Sequence, residues 1–198
     1  MSCSPKNNNG GFTIVELVVG LALTLIILGV VISVFNVQSK SYCLQEQLTE
    51  MQQNVRAAMD MMVREIKMAG YDPAGNGFNG IVYDTTQLQI LADLDGNGTA
   101  TGTNENITYR YYNTSDYPFQ IKRKTGSGSF QPFAENIQTF TFDYLNINGT
   151  TTTSSANIRQ VRVAITGRTA KLDPDYNTNG GYRTYNLTTV VTPQNLGY

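Results

Sequence analysis

Histidine and tryptophan are absent from the 198 residues, and charged side chains make up only 15% of them. Without histidine neither a Ser-His-Asp nor a Cys-His catalytic set can be assembled, and most zinc and haem sites are excluded as well. The few charges nearly cancel, 14 Lys and Arg against 15 Asp and Glu for a net charge of -1, which gives no electrostatic ground for expecting nucleic acid as a partner. No nucleophile-base pair or enzymatic metal cluster is visible, so a non-enzymatic role is expected. What is plentiful is Gly, Asn, Thr and Tyr, the usage of exposed β-rich surfaces and turns. The length accommodates one membrane segment and one domain of ordinary size.

Residues 12–35 read FTIVELVVGLALTLIILGVVISVF, with Glu16 as the single charge. At the helical rise this run spans roughly 36 Å, enough to cross a hydrocarbon layer of about 30 Å. A secretory signal would be shorter and would end in a small-residue cleavage site, whereas this run continues directly into polar helical sequence, so the span is expected to stay attached. The preceding residues, MSCSPKNNNGG, carry Lys6 and no acid. The positive-inside tendency then places the N-terminus in the cytoplasm and the larger domain across the inner membrane. Glu16 is costly inside an apolar helix and calls for a partner that no basic residue of the span can supply; the alternative is that it reaches back to headgroup water.

The run Gly10-Gly11-Phe12-Thr13-Ile14-Val15-Glu16 resembles the prepilin processing site of type IV pilins and type II secretion pseudopilins. The resemblance covers the polar leader, the Gly-Phe junction, the glutamate and the apolar helix together. It implies that a prepilin peptidase cuts between Gly11 and Phe12, that the new terminus is methylated, and that Glu16 of one subunit pairs with the Phe12 amine of a neighbour. Two charges that are each expensive in lipid become tolerable as a pair, so Glu16 would set the register of assembly.

Beyond the span, Leu44, Leu48, Met51, Val55, Met59, Met62, Ile66 and Ala69 recur at steps of three or four, the period of one amphipathic helix. A continuous helix is expected over 12–69, with Gly70 as its C-terminal cap and Pro73 preventing continuation. Major pilins usually carry a proline in the span, where this chain has Ser33; Gly20 and Gly29 could still loosen the helix locally, but the departure fits a minor pilin or pseudopilin better. The stripe lacks clean heptads and charged flanks, so packing against the chain's own sheet is expected rather than a coiled coil.

Six alternating segments, at 87–92, 107–112, 119–124, 139–145, 160–166 and 185–191, read as strands of an antiparallel sheet. Phe140, Phe142 and Tyr144 would share one face, as would Val161, Val163 and Ile165, offering the helix an apolar surface. The expected fold class is α+β, the type IV pilin arrangement, divided as leader 1–11, membrane half of the helix 12–35, amphipathic half 36–70 and β domain 71–198. The pattern Arg56-Ala57-Ala58-Met59, the run from Arg64 to Tyr71, the segment DLDGNG before Ile107 and the closing VVTPQNL resemble PilW-type minor pilins and the similar GspJ-type pseudopilins. Cys3 would leave with the leader and Cys43 would remain, read as a small buried hydrophobe with dimer crosslinking as the alternative.

The segment Asp93-Leu94-Asp95-Gly96-Asn97-Gly98-Thr99 matches the opening of an EF-hand-like calcium loop, with Asp93, Asp95, Asn97 and Thr99 as candidate ligands. Its end departs from the pattern, because the bidentate acid would fall on Asn104 while Glu105 is displaced by one; a plain hairpin connection is the competing reading. The acidic, amide-rich loop from Asp173 to Gly180 is a weaker candidate. Tyr109, Tyr111, Tyr112 and Tyr117 could form a patch for sugars or another subunit, or could be ordinary sheet packing. The functions in view are an assembly subunit near a filament tip, a type II secretion pseudopilin, and a calcium-ordered tip adhesin. The partners implied are other pilins, the peptidase, inner-membrane lipids and the pilus assembly machinery.

Overall fold

The computed structural model describes residues 11–197; of the expected leader 1–11, residues 1–10, with Cys3 and Lys6, lie outside the described residues. The helix α1 is Ile14–Met68, and the chain divides into two compact units between Gln45 and Glu46.

In the first unit the helix carries the whole apolar run, and the protein covers none of it. Phe12 is 88% exposed, and Val, Leu and Ile side chains from Ile14 to Val37 are exposed all round. A helix hydrophobic on every face has the length and composition of a membrane span. Two of its hydroxyls are satisfied within the helix, Thr24 Oγ1 donating to the Gly20 carbonyl at 2.7 Å and Ser41 Oγ to the Val37 carbonyl at 3.1 Å. The helix begins two residues later than expected because Thr13 caps it: its carbonyl accepts from the Leu17 amide at 3.2 Å.

The second unit is built on a buried stripe of α1: Met51, Val55, Ala58, Met59, Met62 and Ile66. This is the expected amphipathic face turned inward, and burying each of its Met, Val and Ile side chains contributes about 1.5 to 3 kcal/mol. Leu44 and Leu48, the first residues of the expected stripe, are only half-buried. Gly70 follows the helix with φ of 77°, a left-handed C-terminal residue as expected. A side chain at Gly70 would also collide with Leu196, so two independent constraints select glycine.

The strands form two antiparallel sheets where a single one was expected. β1 (Ile81–Val82), β2 (Gln87–Leu91), β3 (Asn106–Tyr112), β4 (Gln120–Thr125) and β5 (Gln131–Ala134) pair in sequence order; so do β6 (Ile137–Leu145), β7 (Gln160–Arg168) and β8 (Thr184–Val191). The break falls between β5 and β6, where Asn136 takes φ of 56° and the Ile137 amide bonds to the Phe119 carbonyl at 2.8 Å. Asparagine tolerates that left-handed conformation, and strand alternation carries no mark of which sheet a strand joins. Two strands escaped the sequence reading: β1 has two residues, and β5 contains Pro132, which is admissible there because β5 is an edge strand.

β7 alternates without a fault, placing Val161, Val163 and Ile165 in the core. Phe140 and Tyr144 are buried beside them and Phe142 is partly so. With Leu88, Ile90, Ile107, Tyr109 and Ile121 of the larger sheet they form one core around the helix stripe. The architecture is the expected α+β one, a long helix packed on antiparallel strands.

Candidate functional site

Glu16 has a partner, supplied locally. Its Oε2 accepts the Thr13 amide at 2.9 Å and the Thr13 hydroxyl at 3.0 Å, while its own amide donates to Thr13 Oγ1 at 3.2 Å. The exchange is a capping box, in which two otherwise unpaired amides at the helix start are satisfied reciprocally. The reading of Glu16 as an acid awaiting a cation missed this, although Thr-x-x-Glu ahead of an apolar run is its sequence signature. Thr13 thereby fixes the carboxylate next to Phe12, one residue from the Gly11-Phe12 junction. Gly11 and Phe12 are exposed and precede the helix, so that bond lies in accessible backbone.

The loop between β2 and β3 gathers three carboxylates. One ligand oxygen from each of Asp93, Asp95 and Glu105 lies within 4.8 Å of the others. Asp93 is fully buried, its Oδ1 accepting from the Gly96 amide at 2.8 Å and the Asn97 amide at 3.2 Å, and its Oδ2 from Gly98 at 2.9 Å. Glu105 accepts from Leu94 at 2.9 Å and Asp95 at 3.1 Å through Oε1, and from Gly102 at 2.7 Å through Oε2. Desolvation would raise the Glu105 pKa, but the amides of Asp95, Gly102 and Leu94 outweigh it and hold the carboxyl below its ordinary range.

The one-residue displacement that counted against Glu105 is absorbed by Asn104, whose φ of 69° turns the chain back into the loop. Of the other candidates, Asn97 Oδ1 accepts from the Thr99 amide at 2.8 Å and hydroxyl at 2.7 Å, so Asn97 and Thr99 are engaged with each other. The hairpin connection is thus present, and the acid cluster is built into it. In the second acidic loop, Asp173 pairs with Arg183 at 2.8 Å; that hydrogen bond, with one from the Asp175 amide, lowers its pKa.

Cys43 is exposed, which corrects its reading as a buried hydrophobe. It lies outside the Met51 to Ile66 stretch whose side chains reach the core. The tyrosines divide: Tyr109 is fully buried and Tyr111 half-buried toward the core, whereas Tyr112 is half-buried on the opposite face and Tyr117 is 46% exposed in the loop after β3. A group that composition alone does not reveal is Glu65. It is 6% exposed on the helix and accepts from Arg123 Nη2 of β4 at 2.7 Å and from the Tyr109 hydroxyl of β3.

Residues 44–192 match a family described as prepilin peptidase-dependent protein B, and residues 6–32 match the prokaryotic N-terminal methylation motif. The solved structure of a type IV-like pilin from Thermus thermophilus is 12% identical, with 74% of this chain and 98% of that one covered and a TM-score of 0.46. No protein of curated function matches.

Proposed function

The chain belongs to the prepilin peptidase-dependent protein B family, within the type IV pilin and pseudopilin superfamily, and from that premise we propose that it is a minor pilin. In this reading prepilin peptidase cleaves between Gly11 and Phe12, Phe12 is methylated, and residues 12–35 anchor the subunit in the inner membrane. The β domain then faces the periplasm until other pilins and the assembly machinery draw the subunit into a filament, near its tip. The observation that carries this reading is a Glu16 carboxylate held beside Phe12 at the head of an apolar helix that the protein leaves wholly uncovered.

Assembly follows from charge and area together. Lipid and neighbouring helices are equivalent solvents for the valines and leucines, so apolar burial alone does not choose an axial position. A carboxylate in the same layer does choose one, because it is stabilised only where a donor or cation meets it. The Thr13 bonds make Glu16 tolerable in the lone subunit, and the cationic amine of a neighbour's Phe12 would strengthen the interaction on docking. A secretion pseudopilus of the GspJ type would use the same chemistry.

N-terminal mass spectrometry of the membrane-extracted protein is the test: the reading requires N-methylphenylalanine at Phe12. A protein retaining residues 1–11 within its assembled filament overturns it.

Calcium at the β2–β3 loop is a second proposal, favoured by the convergence of Asp93, Asp95 and Glu105. Their oxygens keep lone pairs beyond those used by the amides, and a hard divalent cation suits an all-oxygen set. In an adhesin at the filament tip, such an ion would order the loop.

A further inference from the structure

Five Asn-Gly pairs fall within the described residues: Asn76-Gly77, Asn79-Gly80, Asn97-Gly98, Asn148-Gly149 and Asn179-Gly180. In such a pair the glycine nitrogen can close a small ring on the asparagine side-chain carbonyl carbon, and glycine has no side chain to hinder the approach. Ring closure requires the glycine amide to turn, so whatever holds that amide in the fold decides whether the pair reacts.

Four of the five are restrained. The Gly77 amide donates to Asp72 Oδ2 at 2.7 Å, that of Gly98 to Asp93 Oδ2 at 2.9 Å, and that of Gly149 to the Asn146 carbonyl at 3.0 Å. Gly80 is held by packing instead. It is buried against the backbone of Gly70, where a Cβ would stand 2.2 Å from the Gly70 nitrogen, and its carbonyl accepts from the Leu91 amide at 2.7 Å. Backbone packed that closely has no room to swing.

Asn179-Gly180 has neither restraint. Both residues are exposed. The Thr178 and Asn179 carbonyls accept from the Gly181 and Tyr182 amides at 2.9 and 3.3 Å, yet among the described residues the Gly180 amide between them donates to nothing. The space around it is open as well, since a Cβ built on Gly180 meets no atom within 4 Å.

We propose that Asn179 is a site of spontaneous deamidation, with water as the only co-reactant. The Gly180 nitrogen attacks Asn179 Cγ and gives up its proton to solvent. The new C–N bond closes a cyclic imide, while the Cγ–Nδ2 bond breaks and the side-chain nitrogen leaves, with a proton taken up from solvent, as ammonia. Water then opens the imide at either carbonyl, giving aspartate by one route and isoaspartate by the other. The net exchange is amide and water for acid and ammonia. Asn179 Nδ2 donates to Thr184 Oγ1 at 3.3 Å, and the product has no donor to replace it. The new carboxylate joins Asp173 and Asp175 in a loop whose Arg183 is already paired with Asp173 at 2.8 Å. Each converted subunit thus presents one more negative charge at the entry to β8.

The test warms detergent-solubilised full-length protein at mildly alkaline pH, digests it at intervals and reads the amide-to-acid mass change at each pair. Asn179 should convert about tenfold faster than Asn76, Asn97 and Asn148, because at those pairs a glycine hydrogen bond must break before the ring can close. In denaturant, where no such bond survives, the rates should converge. Asp72→Ala, which removes the acceptor of the Gly77 amide, should speed conversion at Asn76 and leave Asn179 unchanged. Conversion of Asn179 no faster than that of the bonded pairs, an unaltered ranking in denaturant, or an Asn76 as slow in Asp72→Ala as before would each overturn the proposal.

Discussion

Glu65 on the long helix and Arg123 on the fourth strand meet at 2.7 Å, with Arg123 Nε also donating to the same carboxylate oxygen at 3.1 Å. The Tyr109 hydroxyl bonds to the other oxygen, so the buried carboxylate is satisfied from two strands at once. Burial alone would lower the Arg123 pKa, but the hydrogen bonds and charge of Glu65 raise it. The arrangement fixes the rotation and axial position of the helix on the larger sheet.

Removing either partner leaves a desolvated charge behind. Glu65→Gln and Arg123→Gln should each cost about 2 to 3 kcal/mol in denaturant unfolding, less than a fully enclosed pair because the Arg123 side chain is 20% exposed. The double variant should cost less than the sum of the two single ones. Additive losses would show that the pair is not coupled.

Alkali should destabilise the fold through tyrosine. Burial, then the Glu65 charge, raises the Tyr109 pKa, and burial likewise raises that of Tyr144. A raised folded-state pKa gives stability that is complete below the unfolded value of about 10 and declines as pH climbs above it. Melting temperatures should therefore fall above about pH 10, and Tyr109→Phe should flatten that decline.

Acid acts through the opposite sign. The Gly77 amide, with those of Asn76, Gly75 and Ala74, outweighs desolvation and lowers Asp72, while Arg183 lowers Asp173 and the loop amides lower Glu105. Their contribution is present above the unfolded carboxylate value of about 4 and is lost as pH falls below it. A melting temperature that stayed flat from about pH 5 to pH 2 would contradict these assignments.

Gly167 on β7 lies directly against the helix. A Cβ there would stand 2.5 Å from Val55 Cγ2 and 3.1 Å from Met51 Cγ. Gly167→Ala should cost about 1 to 3 kcal/mol by overpacking, and Val55→Ala in the same chain should recover part of it. Thermal unfolding of the four proteins in the cycle measures both effects.

Millimolar calcium should raise the melting temperature of the full-length chain if the β2–β3 loop takes the ion, through binding to the folded state alone. Glu105→Gln should abolish that rise and Asn104→Ala should weaken it. An unchanged melting temperature with calcium present removes the ion from the account.

Assembly and membrane insertion should separate at Glu16. Glu16→Ala should still enter the membrane, where losing a carboxylate is favourable, yet incorporate poorly into filaments scored by immunoblot of sheared fractions. Incorporation equal to that of the unaltered protein would refute the charge-pair mechanism.

The sequence by itself determined the elements that depend on local period and composition. The apolar run of 24 residues, the three-four spacing from Met51 to Ile66, the perfect alternation of β7 and the glycine after the helix are each legible in neighbours a few positions apart. The tertiary structure decided what depends on residues distant in the chain. It split the strands into two sheets at Asn136, drew Glu105 into the Asp93 loop through the left-handed Asn104, exposed Cys43, and joined Glu65 to residues 44 and 58 positions away. Periodicity records which face of an element is apolar, but it is silent on which partner that face or a lone charge will meet, because that choice is made by packing between elements.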